Sequence, residues 1–270
     1  MSELIVKPNG TPDAEGNLLR ITPESAGWEY VGFETYALAP GQSLNRQTLE
    51  REACIVLLGG KADVATDKEE WKAIGGRSSV FEKIPPYSVY VPSGDSLTLT
   101  AVTDLQIAVC WAPGKGTYPA RLITPDQVGV EDRGEGSTQR LIHNILPETE
   151  EADSLLVVEV FTPAGHWSSY PPHKHDRDLL PEESLLEETY YYEVEPKQGF
   201  AVQRVYTDDR SLDETLAVGH GESVLVPKGY HPVSAPPGYE VYYLNVMAGP
   251  VRTWKFHNDP DHAWLMPKPR

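Results

Sequence analysis

The sequence predicts an all-β protein made of two tandem β-barrel domains, and three observations carry that reading. Short apolar stretches recur along the 270 residues and are cut by 24 prolines and 22 glycines, the punctuation of strands and turns in sandwiches and barrels. No long amphipathic helical pattern interrupts them. An internal repeat is also visible. Val89-Tyr-Val-Pro-Ser-Gly-Asp-Ser resembles Val224-Leu-Val-Pro-Lys-Gly-Tyr-His, Leu38-Ala-Pro-Gly echoes Phe161-Thr-Pro-Ala-Gly, and Glu52 before Cys-Ile-Val-Leu echoes Glu188 before Tyr-Tyr-Tyr. A chain of this length buries one large core or two of about 130 residues each. The repeat favours two, divided as 1–132 and 133–270.

The elements follow in order. The first strand, 29–38, alternates apolar and polar residues and stops at Pro40-Gly41. Strands are expected at 53–58 before Gly59-Gly60, at 88–91 before Pro92, at 97–102 and at 105–111. The stretch 113–132 is rich in proline, glycine and charge and reads as a connection. Strands resume at 138–145, 154–162, 189–194, 200–206, 223–226 and 239–247. Cys54 and Cys110, each flanked by apolar residues, read as buried small hydrophobes more than as a disulfide.

Composition excludes several function classes. A net charge of −17 repels nucleic-acid phosphates and anionic membranes, yet leaves room for a local basic pocket holding a small anion. No run approaches the roughly 20 apolar residues that cross a bilayer, and Met1-Ser-Glu-Leu-Ile-Val-Lys-Pro has no apolar signal core. A cytoplasmic protein is expected.

All eight histidines lie in the second half, and none occurs in the first repeat, where Ser96 takes the place of His231. His173-Lys174-His175 is the informative pair. On an extended strand alternate side chains share a face, with a two-residue repeat of roughly 6–7 Å, so both imidazoles can reach one cation. Glu187-Glu188 opens an aromatic strand, and Pro227-Lys228-Gly229 sets a turn just before His231. His173, His175, Glu188 and His231 thus offer three nitrogens and one oxygen from separated segments, a shell suited to one zinc, iron or manganese ion per chain. The second half is expected to carry this site and the first half to be metal-free.

These residues resemble the cupin superfamily, whose motifs run Gly, His-x-His, Glu and then Gly, Pro-x-Gly, His. Gly165, His173, His175 and Glu188 match the first motif; Gly221, Pro227, Gly229 and His231 match the second. Two departures are specific. Residues 176–187 lengthen the usual short spacer before Glu188, and Tyr230 alone separates Gly229 from His231. With Tyr170-Pro-Pro-His-Lys-His-Asp, Leu186-Glu-Glu-Thr-Tyr-Tyr and Asn245-Val-Met-Ala-Gly-Pro, the chain resembles the bicupin 5-deoxy-glucuronate isomerase family of bacterial myo-inositol catabolism along nearly its whole length. It is similar, more distantly, to the uronate ketol-isomerases of pectin breakdown. The resemblance implies two jelly-roll domains and a metal-dependent aldose–ketose isomerase converting 5-deoxy-D-glucuronate to 5-dehydro-2-deoxy-D-gluconate, with association into a homo-oligomer.

Such a reaction removes a proton from a hydroxyl-bearing carbon and stabilises an enediolate, for which a divalent ion serves as Lewis acid. By motif position Glu188 is assigned as ligand, although the same carboxylate is a candidate base, and Glu187 is expected to point outward. Tyr190 and Tyr192 share the face of Glu188 and are candidates for moving the proton, against a packing role. Lys174 should point away from the ion, toward solvent or a subunit contact. Arg252 and Arg177 are the candidates for the substrate carboxylate, and 176–187 is either a cover over the site or a solvated insertion. Rival classes are a cupin dioxygenase, which would consume oxygen, and a sugar-binding or storage bicupin, which has no need of an intact ligand set.

Overall fold

The computed structural model describes residues 2–266. Among them one four-residue α-helix, Pro23–Ala26, and three 3-10 turns are the only helical elements. The remaining regular structure is β, as the turn spacing predicts. In the first half a six-stranded antiparallel sheet runs Arg121–Ile123, Ser88–Val91, Arg51–Gly59, Leu105–Pro113, Gly32–Leu38, Asn17–Ile21. It shares a core of Tyr36, Ile55, Leu57, Val89 and Val109 with the sheet that contains Ser43–Gln47 and Ser96–Ala101.

In the second half a seven-stranded sheet runs Ile5–Val6, Ser223–Val226, Glu187–Glu195, Glu240–Ala248, Leu156–Thr162, Arg140–Leu146, Gly129–Arg133. Its inner face packs Tyr190, Tyr192 and Val241 against Ala201, Val205 and Val218 of the opposing sheet. Two of its strands come from the earlier numbers: Ile5–Val6 pairs with Ser223–Val226, and Gly129–Arg133, in which the 132/133 division falls, pairs with Arg140–Leu146. The stretch 113–132, expected to be a plain connection, therefore contains Arg121–Ile123 and most of Gly129–Arg133.

A third core lies between the two large sheets, where Phe33, Cys54, Val56 and Cys110 meet Phe161, Tyr191, Tyr242 and Leu244. The central strands are consequently buried on both faces, which is why they read as continuous apolar runs. Both cysteines are free thiols, and burial pushes the Cys54 thiol up to about 12. Reciprocal carboxylate clamps tie the halves together. Glu52 accepts the backbone N–H groups of Asp153, Ser154 and Leu155 at 2.8, 2.6 and 2.6 Å. Glu187 accepts those of Glu29, Tyr30 and Val31 at 2.8, 2.8 and 2.9 Å.

The repeat therefore needs a one-residue correction. Glu52 corresponds to Glu187, on the inter-sheet face with Cys54 and Tyr191, and not to Glu188, which looks into its own barrel. A buried ion pair adds to the junction: Arg77 grips Glu159 with two bonds of 2.8 Å, and His143 and Tyr242 contact the same carboxylate at 2.7 and 2.9 Å. Burial works to raise that carboxyl, but Arg77 and His143 outweigh it and hold its pKa below the usual carboxylate value.

Candidate metal centre and substrate cavity

Alternation along Glu187–Glu195 sends Glu188, Tyr190 and Tyr192 into the second barrel and Glu187, Tyr191 and Glu193 toward the first half. His231 arrives on the turn after Ser223–Val226. Gly229 in that turn has φ of +92°, and a Cβ there would stand 2.4 Å from the Tyr206 carbonyl oxygen, so glycine alone lets the chain pass. His173 and Lys174 pair with Asn258 and His257 of the C-terminal segment, which fixes the direction of the His-Lys-His stretch.

The ligand atoms of His175, Glu188 and His231 lie within 4.8 Å of one another, and all three residues are buried. Glu188 Oε2 is 3.0 Å from His175 Nε2 and 3.2 Å from His231 Nε2. His173 stands beside them, its ring centred 5.0 Å from that of His231. Each imidazole turns Nδ1 to a backbone carbonyl: His173 to Pro171 at 3.3 Å, His175 to Leu186 at 3.2 Å and His231 to Gly229 at 2.8 Å. A carbonyl oxygen only accepts, so in the neutral ring Nδ1 carries the hydrogen and Nε2 keeps a lone pair. His175 Nε2 is within hydrogen-bond distance of the Glu188 carboxylate, which against burial raises its pKa, whereas His231 Nε2 is buried with no hydrogen-bond partner, an orphaned donor atom that a cation would satisfy. The donor set and its outer carbonyl partners therefore fit a divalent ion. Burial presses His231 down to about 3, which keeps this donor neutral.

A cavity of about 710 Å3 opens onto His173 and Glu188 and is walled by Tyr190, Tyr243, Trp254 and Phe256. Tyr190 Oη lies 2.9 Å from Ser169 Oγ; burial first, then the Glu188 charge, holds this phenol well above its ordinary pKa. Tyr192 stands one row further along the strand, its ring stacked 6.1 Å from Tyr190 and its hydroxyl donated to Gln203 Oε1 at 2.9 Å. The cavity wall therefore receives Tyr190, while Tyr192 supports it from behind.

Several sequence expectations are corrected here. Arg252 does not face the cavity: its guanidinium donates to the carbonyls of Pro147, Glu148, Glu150 and Leu155 and straps that loop down. Arg177 is half exposed and bonded to Asp208 at 2.6 Å. Neither is free to hold a substrate carboxylate at this site. Lys174 is not a solvated lysine; it is 1% exposed, with Asp176, Glu183 and Asp208 around its ammonium at 2.6, 3.3 and 3.4 Å. The insertion forms a hairpin of Asp176–Leu179 and Glu183–Leu185 bound to that lysine. The cavity is flanked by the C-terminal segment instead, through Trp254, Phe256, Asn258 and Leu265. Sequence reasoning missed Ser169, Arg140 and Asn245 as cavity residues.

With this geometry in place, comparison with known proteins is decisive. The KduI/IolB family model matches residues 4–265. The chain belongs to the KduI/IolB family. Its relatives include proteins named 5-deoxy-glucuronate isomerase from Geobacillus kaustophilus, 68% identical over 98% of this chain and 96% of that one, and from Bacillus subtilis, 50% identical over 98% and 99%. The crystal structure of an IolB-like protein from Salmonella typhimurium superposes with a TM-score of 0.95 at 53% identity, covering 98% of this chain and 99% of the other. The fold extends beyond the KduI/IolB family. Oxalate decarboxylase of Bacillus subtilis, a protein with Mn(II) centres, superposes with a TM-score of 0.63 at 13% identity over 96% of this chain and 80% of the other. That second likeness establishes the cupin architecture alone. No helix among the described residues is long and apolar enough to cross a membrane.

Proposed function

We propose that the chain is a metal-dependent aldose–ketose isomerase converting 5-deoxy-D-glucuronate to 5-dehydro-2-deoxy-D-gluconate, with one zinc, manganese or iron ion held by His173, His175, Glu188 and His231. The observation that carries the reading is the convergence of His175, His231 and the Glu188 carboxylate beside a walled cavity, with His231 Nε2 buried and unpartnered. The names of relatives 50–69% identical point to the same chemistry. His173 stands outside the cluster of the other three, and its ring beside that of His231 is what supports it as the fourth ligand.

When bound, the ion supplies Lewis-acid stabilisation of charge developing on neighbouring substrate oxygens. Three neutral imidazoles and one carboxylate leave a divalent centre net positive, the sign that chemistry requires. Tyr190 keeps its proton and is positioned by Ser169 to donate to a substrate oxygen as the carbonyl migrates. Trp254 and Phe256 wall the cavity with apolar surface and limit the access of water.

The test is turnover of 5-deoxy-D-glucuronate beside the pectin-derived deoxy-uronate, under nitrogen, in zinc- and in manganese-loaded protein. Conversion of the first acid with the higher kcat/KM and no oxygen consumption is expected. Preference for the second acid would reassign the substrate, and conversion that stops under nitrogen would replace the isomerase by a dioxygenase.

A further inference from the structure

The acid group of the proposed substrate needs a cation, and the two arginines singled out in the sequence are engaged elsewhere. The cavity supplies another. Arg140 opens the strand Arg140–Leu146, and residues 140, 142 and 144 of that strand all line the cavity, as alternation requires. The residue is 8% exposed, and its one side-chain hydrogen bond among the described residues runs from Nη1 to the Thr138 carbonyl at 3.0 Å. Among the described residues it has no carboxylate within ion-pair distance. The neighbouring Arg133 is paired twice with Glu131 at 2.8 Å, and Arg77 twice with Glu159. A buried guanidinium that spends one donor on a carbonyl and faces a cavity, beside a Glu131 already bonded twice to Arg133, is short of counter-charge, and burial lowers its pKa.

The surrounding chain holds Arg140 in place. A Cβ on Gly134 would lie 2.8 Å from Nη1 and 2.2 Å from the Thr138 carbonyl oxygen, so the 134–138 turn closes tightly around the guanidinium. The carboxylates of the lining are Glu188, at the metal end, and Glu135, exposed at the rim.

We propose that Arg140 receives the carboxylate of the sugar acid and makes the site select acids over neutral sugars. This deepens the isomerase reading and rests on it for the identity of the acid. A planar guanidinium matches a carboxylate with two parallel N–H donors, and in a chain of net charge −17 a desolvated cation is what draws an anion into the cavity. The arginine acts on the end of the substrate remote from the migrating carbonyl. It is a positioning and specificity residue.

Binding and turnover of 5-deoxy-D-glucuronate and of the neutral 5-deoxy-D-glucose are compared in metal-loaded wild type, Arg140→Gln and Arg140→Lys. Arg140→Gln is expected to weaken binding of the acid about 100-fold, to leave the neutral sugar within about twofold and to keep full metal content. Arg140→Lys should recover part of the loss. Equal loss for acid and neutral sugar, or an acid preference that survives Arg140→Gln, overturns the proposal. If Arg140→Gln fails to fold, Arg140→Lys decides it on the same acid-to-neutral ratio. Wild type that prefers the acid in binding but does not isomerise it would strike the isomerase reading and leave this one standing.

Discussion

The gathering of His175 and His231 around Glu188, with His173 beside the cluster and not in it, was legible in part, because two-residue spacing puts His173 and His175 on one face of extended chain and Pro-x-Gly announces the turn that delivers His231. Arg140 was not. An arginine at the head of an apolar strand looks like any solvated strand end, and only the turn closing over it shows that it is buried and unpaired. Arg252 failed for the complementary reason, since nothing local in sequence reveals the four carbonyls it meets about a hundred residues upstream. Tyr190 and Tyr192 share one periodicity, and the structure separates them by what each hydroxyl touches. Tyr190→Phe removes a phenol held on Ser169 without altering a metal ligand. Its kcat is expected to fall by about 100-fold with metal content and KM little changed, read by steady-state kinetics and metal analysis on one preparation.

The strand Glu187–Glu195 shows how one element serves two purposes. One face carries Glu188 and Tyr190 to the cavity; the other carries Glu187, Tyr191 and Glu193 to the junction between the large sheets. Glu193 is the least settled residue on that face. Burial pushes its carboxyl up to about 7, against the Tyr191 hydroxyl 3.3 Å away and the charge of Arg77. A carboxyl whose folded pKa exceeds its unfolded one stabilises the fold fully below the unfolded pKa, and that contribution is lost as pH rises through about 7. The group accounts for a decline of about 3 kcal/mol between roughly pH 4.5 and above 7. Glu193→Gln is expected to flatten that slope, so that its denaturation midpoint exceeds wild type near pH 8 more than near pH 5. An unchanged slope would assign the pH dependence to other groups.

At the scale of the molecule, legibility followed burial. Ser88–Val91, Phe200–Tyr206 and Ser223–Val226 coincide with the expected strands, and the long central strands differ from expectation only at their ends. Ser43–Gln47, Glu70–Ile74 and Asp213–Gly219 escaped notice because they lie in the outer sheets, with few buried side chains to set a pattern. The reciprocal clamps of Glu52 and Glu187 escaped because each joins a side chain to backbone more than 100 residues away. They explain why a glutamate stands at the first or second position of two deeply buried strands, Glu187–Glu195 and Arg51–Gly59. A scaffold joined at both carboxylates holds the second barrel, and hence the ligand face of Glu187–Glu195, against a half that lacks histidine altogether.

The most direct measurement of the central claim is metal content and isomerase turnover determined together in wild type, His231→Ala and Ser96→Ala. One divalent ion per chain is expected in wild type and in Ser96→Ala, with equal turnover. His231→Ala should lose ion and turnover in parallel while remaining folded, because the barrel core is built from other residues. A His231→Ala protein that kept both its ion and its activity would contradict the site described above.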